Sequence, residues 1–188
     1  MASQSFAQDE QLVAAQRGDA GAFAALVRWH QASVHGLALR MLNRFDRADD
    51  LAQDVFLRLF DHLSDIESTQ HLGFWLRRVT ANLAIDRLRQ LPQHTSAVPV
   101  ETLDSEAQAD DSDPWLQRLL RSLIAELPPQ PRAVMLLRYQ EDFDPIDIAK
   151  ALDMPLNTVK SHLKRSLDSL RARITQLDPV RREVTRHE

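Results

Sequence analysis

Apolar residues along this 188-residue chain recur at the three-to-four spacing of α-helices, and few runs alternate with the period of two that strands require. Only four glycines are present. The sequence therefore predicts an all-α fold. The expected helices cover about residues 8–17, 20–44, 47–63 and 72–90. Helical spacing resumes at Trp115, and Pro128, Pro129 and Pro131 mark the start of another helix that extends through Tyr139.

Residues 145–170 predict two short helices joined by a tight turn. On the first, over residues 146–152, Ile146, Ala149 and Leu152 are expected to face inward. Asp153 tolerates a left-handed backbone and Pro155 favours a helix start, so both suit the turn. A rotation of about 100° per residue gives the second helix two faces. Its inward face comprises Leu156, Val159, Leu163, Leu167 and Leu170, and its polar face Asn157, Lys160, Ser161, Lys164, Arg165, Asp168 and Arg171.

The cationic face of this second helix suits the phosphates and base edges of a DNA duplex, so the pattern favours a helix-turn-helix. Asp168 would repel phosphate and is expected to lie off the contact surface. A helical hairpin whose charges are merely solvated is the alternative on the pattern alone.

The helix predicted over residues 47–63 has two different faces. Its core face is expected to comprise Leu51, Ala52, Val55, Phe56, Leu59, Phe60 and Leu63, and its opposite face Asp50, Gln53, Asp54, Leu57 and Asp61. A leucine framed by carboxylates suits a surface that binds a basic protein. An ordinary surface with one stray leucine is the alternative. No nucleophile or complete set of metal ligands accompanies these acids, so no catalytic residue is assigned.

The helix expected from residue 72 to residue 90 is rich in arginine. Trp75, Leu76, Val79 and Leu83 are expected to face inward, and Arg77, Arg78, Asn82 and Arg89, with Ala81 and Ile85, to lie away from the core. Arginines and an amide beside a loop suit single-stranded or melted nucleic acid. A solvated basic face is the alternative.

The net charge of −4 is unevenly distributed along the chain. Residues 46–66 and 91–113 are acidic, whereas residues 67–90 and 155–188 are basic, which indicates several surfaces with different partners. Residues 92–113 carry two prolines and six acids, as expected of a flexible linker. The predicted organisation is a domain over residues 1–91, a linker over 92–113, a second domain over 114–177 and a tail over 178–188.

Composition excludes several classes of protein. The chain has no cysteine, which rules out disulfides and thiolate chemistry, and its seven histidines form no metal-binding motif, so neither a metal nor a cofactor is expected. No apolar run approaches the roughly 18 residues of a membrane span, and the first twenty residues do not resemble a signal peptide. The sequence predicts a cytoplasmic protein.

Three segments in order resemble the extracytoplasmic-function (ECF) group of bacterial RNA polymerase sigma factors. DRADDLAQDVFLRLF, residues 46–60, is similar to the family pattern DAEDLxQEVFxxxW, and FWLRRVTANLAIDRLR, residues 74–89, to WLxxIAxNxAxDxLR. Residues 127–165 resemble sigma region 4, LPxxxRxVxxLRxxExxSxxEIAxxLGxxxGTVKSRxxRA, and GDAGAF, residues 18–23, the first helices of region 2. The resemblance covers nearly the whole chain.

This resemblance implies a sigma factor that binds core RNA polymerase, directs it to −10 and −35 promoter elements and helps melt the promoter. It also implies partners and residue roles. Core RNA polymerase would bind the acidic helix through the clamp helices of its β′ subunit, its β flap would bind region 4, and an anti-sigma factor is expected. The β′ contacts would be Asp50, Gln53, Asp54, Leu57 and Asp61. Melted −10 DNA, including a flipped base, would contact Glu67, Ser68, Thr69, Gln70, His71, Arg77, Arg78 and Asn82. Duplex −35 DNA would contact Asn157, Thr158, Lys160, Ser161, His162, Lys164 and Arg165.

The chain departs from the family pattern at His162, Ser166, Asp153 and the Asp144–Pro145 pair, which leaves its −35 sequence preference open. Two other functions stay open on the residues alone. A helix-turn-helix regulator would bind a palindromic duplex without polymerase. A helical adaptor would bind a protein partner without supporting transcription.

Overall fold

The computed structural model describes residues 2–90 and 114–184, with side chains described over 8–90 and 115–176. Both ranges are helical and contain no strand, which confirms the all-α prediction. The predicted linker, residues 92–113, lies outside the described residues. The helices are α1 (Ala2–Gln16), α2 (Ala20–Leu42), α3 (Phe45–Asp61), α4 (Thr69–Gln90), α5 (Pro114–Ala125), α6 (Pro129–Tyr139), α7 (Pro145–Ala151) and α8 (Leu156–Val184), with a 3-10 turn at Leu63–Asp65 between α3 and α4.

The backbone forms two compact units, the first containing α1–α4 and the second α5–α8. In the first unit α2 lies at the centre and packs against α1, α3 and α4, while α4 also contacts α1 and α3. The side chains that close this core are almost completely inaccessible to solvent: Leu26, Leu37, Met41, Leu51, Val55, Leu59, Leu72 and Leu76.

Local hydrogen bonds set the ends of the central helix. The Asp19 carboxylate accepts a hydrogen bond from the backbone N–H of Ala22 at 3.0 Å, which caps the start of α2. Asn43 adopts a left-handed φ of 53° and donates its backbone N–H to Leu39 O, which ends the helix. Gln16 then ties the end of α1 to the α3–α4 connection by donating to the carbonyls of Leu63 and Ile66.

In the second unit α6 packs against α5, α7 and α8. Leu136, Leu137, Ile148, Ala151 and Val159 are buried in it, and a neighbouring cluster joins α5, α6 and α8 through Leu123, Met135 and Leu170. Arg132 is buried as well, and its guanidinium donates to the carbonyls of Ala125 and Leu127. Burial lowers the pKa of Arg132 to about 10, so the side chain stays cationic at neutral pH.

The turn between α7 and α8 has the predicted geometry. Asp153 adopts a left-handed φ of 48°, and α8 begins directly after Pro155. The prediction for α7 is confirmed for Leu152, which is buried, and wrong for its other two residues: Ile146 is 57% exposed and Ala149 half-buried, whereas Ile148 and Ala151 are buried. Residues 146 and 148 lie about 200° apart on a helix, so only one can face the core, and Ile148 aligns with the buried Ala151 and Leu152.

Four further residues of the first unit differ from expectation. Phe60, predicted to be buried, is 66% exposed, because it lies one residue past the inward row that ends at Leu59. Ala81 and Ile85, predicted to face away from the core, are buried, because α4 contacts α1, α2 and α3 and therefore buries more than one face. Trp75 is only half-buried, beside the ring of His62.

Several helix bounds also differ from the predictions. The first helix begins at Ala2 instead of residue 8, and α4 begins at Thr69 instead of residue 72. Residues 178–184, predicted as part of a tail, continue α8. In the described parts of the chain no helix combines the length and apolarity needed to cross a membrane.

The corrected facing of α7 predicts different costs for two isoleucine truncations. Ile148→Ala should lower the free energy of unfolding of the second unit by about 2–5 kcal/mol, because it leaves a cavity in a closed core. Ile146→Ala, the matched control on the same helix, should change it by less than about 0.5 kcal/mol. Amide hydrogen exchange in α6 and α8 measures both effects, and equal costs would contradict this packing.

Candidate protein and nucleic-acid interfaces

The outer face of α3 combines exposed polar residues with an exposed leucine. Leu57 is 61% exposed, and Asp50, Gln53 and Asp61 are exposed around it. The opposite side of α3 is completely buried through Ala48, Leu51, Val55 and Leu59. Because this inward row satisfies the packing of α3, the exposed Leu57 does not serve folding.

Asp54 lies on the same face but differs from its neighbours. Its carboxylate accepts a hydrogen bond from the guanidinium of Arg87, which is on α4. Arg87 also donates to the backbone carbonyls of Arg47 at 3.2 Å and Asp50 at 3.5 Å. Asp54 and Arg87 are 33 residues apart and no local pattern joins them, so the sequence does not predict this contact.

Phe60 adds an aromatic ring beside Leu57. It lies edge-on to Phe23 of α2, with 5.3 Å between ring centroids. Leu57 and Phe60 are three residues apart, so their side chains are neighbours on the helix surface. The exposed apolar part of α3 is therefore larger than the single leucine that the sequence indicated.

The segment over residues 67–71, which precedes the helix expected from residue 72, is partly a helix start. Ser68 Oγ accepts a hydrogen bond from the N–H of His71 at 3.1 Å, as an N-cap does. His71 Nδ1 in turn accepts one from the N–H of Glu67 at 3.2 Å, which completes a reciprocal cap. Thr69, Gln70 and His71 therefore belong to the first turn of α4, while Glu67, Ser68 and Gln70 are exposed.

The α4 residues predicted to bind DNA do not all share one face. Arg78 is exposed and Asn82, one turn further, is half-buried. Arg77 is half-buried, donates to Gly73 O at 3.1 Å and lines a small cavity with His30 of α2. Burial, and secondarily the positive charge of Arg77, lower the pKa of His30. The structure therefore aligns Arg78 with Asn82 and directs Arg77 toward α2.

The outer face of α8 has the predicted arrangement. Asn157, Lys160, Ser161, Lys164 and Arg165 are exposed, opposite the buried Val159.

The other predicted −35 residues are less accessible. Thr158 and His162 are half-buried, and burial, followed by the charge of Arg165, lowers the pKa of His162. Ser161 Oγ donates to Asn157 O within the helix. A carboxylate oxygen of Asp168 lies 3.7 Å from a guanidinium nitrogen of Arg171, so a cation neighbours the Asp168 charge on the helix surface.

Together the two units define a helical protein with a helix-turn-helix in its second unit. A family model described as "Sigma-70 region 2" matches residues 26–92, and one described as "Sigma-70, region 4" matches residues 117–170. The RNA polymerase sigma-E factor of Streptomyces coelicolor is 31% identical over 174 residues, which cover 91% of this chain and 96% of that protein. The ECF RNA polymerase sigma factor SigW of Bacillus subtilis is 29% identical over 175 residues, covering 86% and 94%.

The chain belongs to the ECF family of RNA polymerase sigma factors. Its relatives are transcription initiation factors rather than enzymes. The resemblance identified from the motifs is confirmed, and with it the expectation that the protein directs RNA polymerase to promoters.

Two solved structures share the fold. CnrH in complex with the cytosolic domain of CnrY aligns with a TM-score of 0.65 and 20% identity, over 90% of this chain and 98% of that one. The sigma factor RpoE in complex with the anti-sigma factor NepR, from Bartonella quintana, aligns with a TM-score of 0.63 and 18% identity, over 81% and 96%.

The reciprocal cap at the start of α4 gives a stability prediction. Ser68→Ala should lower the free energy of unfolding of the first unit by about 1 kcal/mol, because the N–H of His71 loses its acceptor. Ser68→Asp keeps an acceptor and is the matched control. Urea unfolding of the full chain, observed with a signal that comes from the first unit, measures the difference in the free energy of unfolding. Equal stability of the two variants would contradict the cap.

Proposed function

We propose that the outer face of α3 binds core RNA polymerase, at the clamp helices of its β′ subunit. The observation that carries this proposal is Leu57, an exposed leucine surrounded by Asp50, Gln53 and Asp61 on a helix whose other side is buried. Such a surface fits a partner that offers an apolar contact ringed by basic residues. Phe60 extends the apolar part of this face. The β flap is the partner proposed for the second unit.

The second element of the proposal is contact with the melted −10 element by the start and outer face of α4. Exposed Glu67, Ser68 and Gln70, with half-buried Thr69 and His71, surround the cap where an unstacked base could be held. Arg78 and Asn82, one turn apart, would contact the displaced strand through a phosphate and a base edge. Arg77 would contribute by fixing the first turns of α4, since it donates to Gly73 O.

The third element is recognition of the duplex −35 element by α8. Lys160, Lys164 and Arg165 would contact phosphates or guanine edges, and Asn157 and Ser161 would add neutral contacts. The half-buried Thr158 and His162 would lie at the edge of this contact surface. The proposed DNA surfaces of α4 and α8 are each small. Specific promoter binding is therefore expected to require polymerase, because both surfaces contact the promoter at once when the chain is bound to it.

The fourth element is control by an anti-sigma factor. The structure of RpoE from Bartonella quintana, which shares the fold, contains the anti-sigma factor NepR. An inhibitor of this chain would be expected to act on the proposed polymerase and DNA faces, and covering either kind of face would be sufficient to prevent initiation.

The docking face predicts that Asp50→Arg weakens binding to core RNA polymerase by about tenfold or more, because it places a cation where a basic partner is expected. Fluorescence anisotropy measures the affinity for core polymerase. Function is measured as transcription from a promoter that the holoenzyme has selected from a randomised duplex library. Glu10→Arg, at an exposed acid of α1, makes the same charge change and should bind normally.

Wild-type affinity of Asp50→Arg would contradict the docking face. Specific duplex binding by the chain without polymerase would instead favour a stand-alone helix-turn-helix regulator. Polymerase binding without transcription would favour an adaptor.

The −35 face predicts different salt dependences for two neighbouring residues. Lys164→Ala should weaken holoenzyme binding by about 1–3 kcal/mol and lower the slope of log affinity against log salt by about 1. His162→Ala should leave the slope unchanged at pH 7.5, because the lowered pKa of His162 keeps it neutral. Binding titrations from 50 to about 200 mM salt measure both slopes. Equal slopes for Lys164→Ala and wild type would contradict the phosphate contact.

A further inference from the structure

Arg87 connects the two helices to which the proposed function assigns different partners. It belongs to α4, five residues beyond Asn82, yet its guanidinium lies against α3. There it donates to the carbonyls of Arg47 and Asp50 and to the carboxylate of Asp54. The Arg87 side chain is 28% exposed, whereas Asp54 is 51% exposed, so the cation is the more enclosed partner.

The three acceptors lie on successive turns of α3. Residues 47, 50 and 54 follow the three-to-four spacing of one helix face, so a single planar guanidinium bonds along about two turns. Two of the acceptors are backbone atoms, which cannot move without moving the helix. Arg87 therefore restrains both the rotation of α3 about its axis and its position along α4.

Opening the pair between Asp54 and Arg87 would cost free energy. If Asp54 turned to an external partner, the Arg87 guanidinium, which is only 28% exposed, would lose its one charged acceptor and keep two backbone carbonyls. This loss opposes the gain from one new contact made by Asp54. By contrast, the exposed side chains of Asp50 and Asp61 have no hydrogen bond or ion pair with other residues in the described ranges. The carboxylates ready for an external partner are those two.

We infer that Asp54 and Arg87 form a positioning pair that persists when polymerase binds, and that Asp54 is not itself a contact to polymerase. This inference rests on the proposed docking face of α3 and changes the role of one of its residues. Because Arg87 extends from the helix that carries Arg78 and Asn82, the pair also fixes the −10 helix to the docking helix. Binding to polymerase then sets the orientation of α4 on the promoter.

A charge exchange separates positioning from direct contact. Asp54→Arg alone should weaken core binding by about tenfold under either role. The double variant Asp54→Arg with Arg87→Asp keeps the net charge and the total length of the pair, although it loses the two donations to backbone carbonyls. A positioning pair predicts that the exchange recovers most of the lost affinity, and a direct contact predicts that it recovers none.

Asp61→Arg provides the matched control for the exchange. It lies on the same exposed face, about 10 Å further along α3, and should weaken binding in a way that Arg87→Asp does not correct. Wild-type affinity for Asp61→Arg and Asp50→Arg alike would instead refute the docking face itself, so failure of the proposed function is distinguishable from failure of this inference.

Arg87→Gln tests the same inference without reversing a charge. If Asp54 contacted polymerase directly, removing its intramolecular partner would leave core affinity unchanged or raise it. The positioning pair predicts affinity about tenfold lower and, at saturating polymerase, reduced permanganate reactivity of −10 thymines. Thermal melting of each variant verifies that the first unit is folded. Unchanged or stronger binding by folded Arg87→Gln, or no recovery in a folded exchange variant, would overturn the inference.

Discussion

The complete burial of one side of α3 is the constraint on which the first unit depends. Ala48, Leu51, Val55 and Leu59 are fully inaccessible, and this row fixes how α3 is rotated against α2 and α4. Once that rotation is fixed, the helical period determines which residues point outward. The outward face of α3, which is the proposed docking face, is thus a consequence of core packing. The same rule holds for α8, where Val159 is buried opposite Lys160 and Lys164.

The sequence predicts the helical framework and the long amphipathic faces well, because their periodicity extends over several turns. It fails where the pattern is short or the decisive contact is distant. Seven-residue α7 offers too few turns to choose between Ile146 and Ile148, and the burial of Ala81 depends on how many neighbours surround α4. The pairing of Arg87 with Asp54 joins different helices, so no local spacing could have indicated it.

Net charge is a poor guide to the surfaces of this protein because many of its charges pair internally. Arg44 binds Asp46, Arg138 lies 3.2 Å from Asp144, and Arg173 binds Glu126. Such surface pairs contribute little to stability, but they lower the charge available to a partner. Two groups of one sign stand out in the described parts of the chain: the acids Asp50 and Asp61 on the outer face of α3, and the cations Lys160, Lys164 and Arg165 on α8. The overall excess of acids is therefore compatible with binding DNA at one of these groups.

The division of carboxylates on α3 has a consequence for how initiation would be ordered. A carboxylate that stabilises the internal arrangement cannot also be released to a partner without loosening the helices that the partner must read. Assigning Asp54 to the internal pair with Arg87, and Asp50 and Asp61 to the external partner, avoids this conflict. Under the proposed function, polymerase would bind α3 while α4 keeps its orientation. The binding free energy would then not be spent on rebuilding the proposed −10 face, and the unit would reach the promoter already arranged for the melted strand.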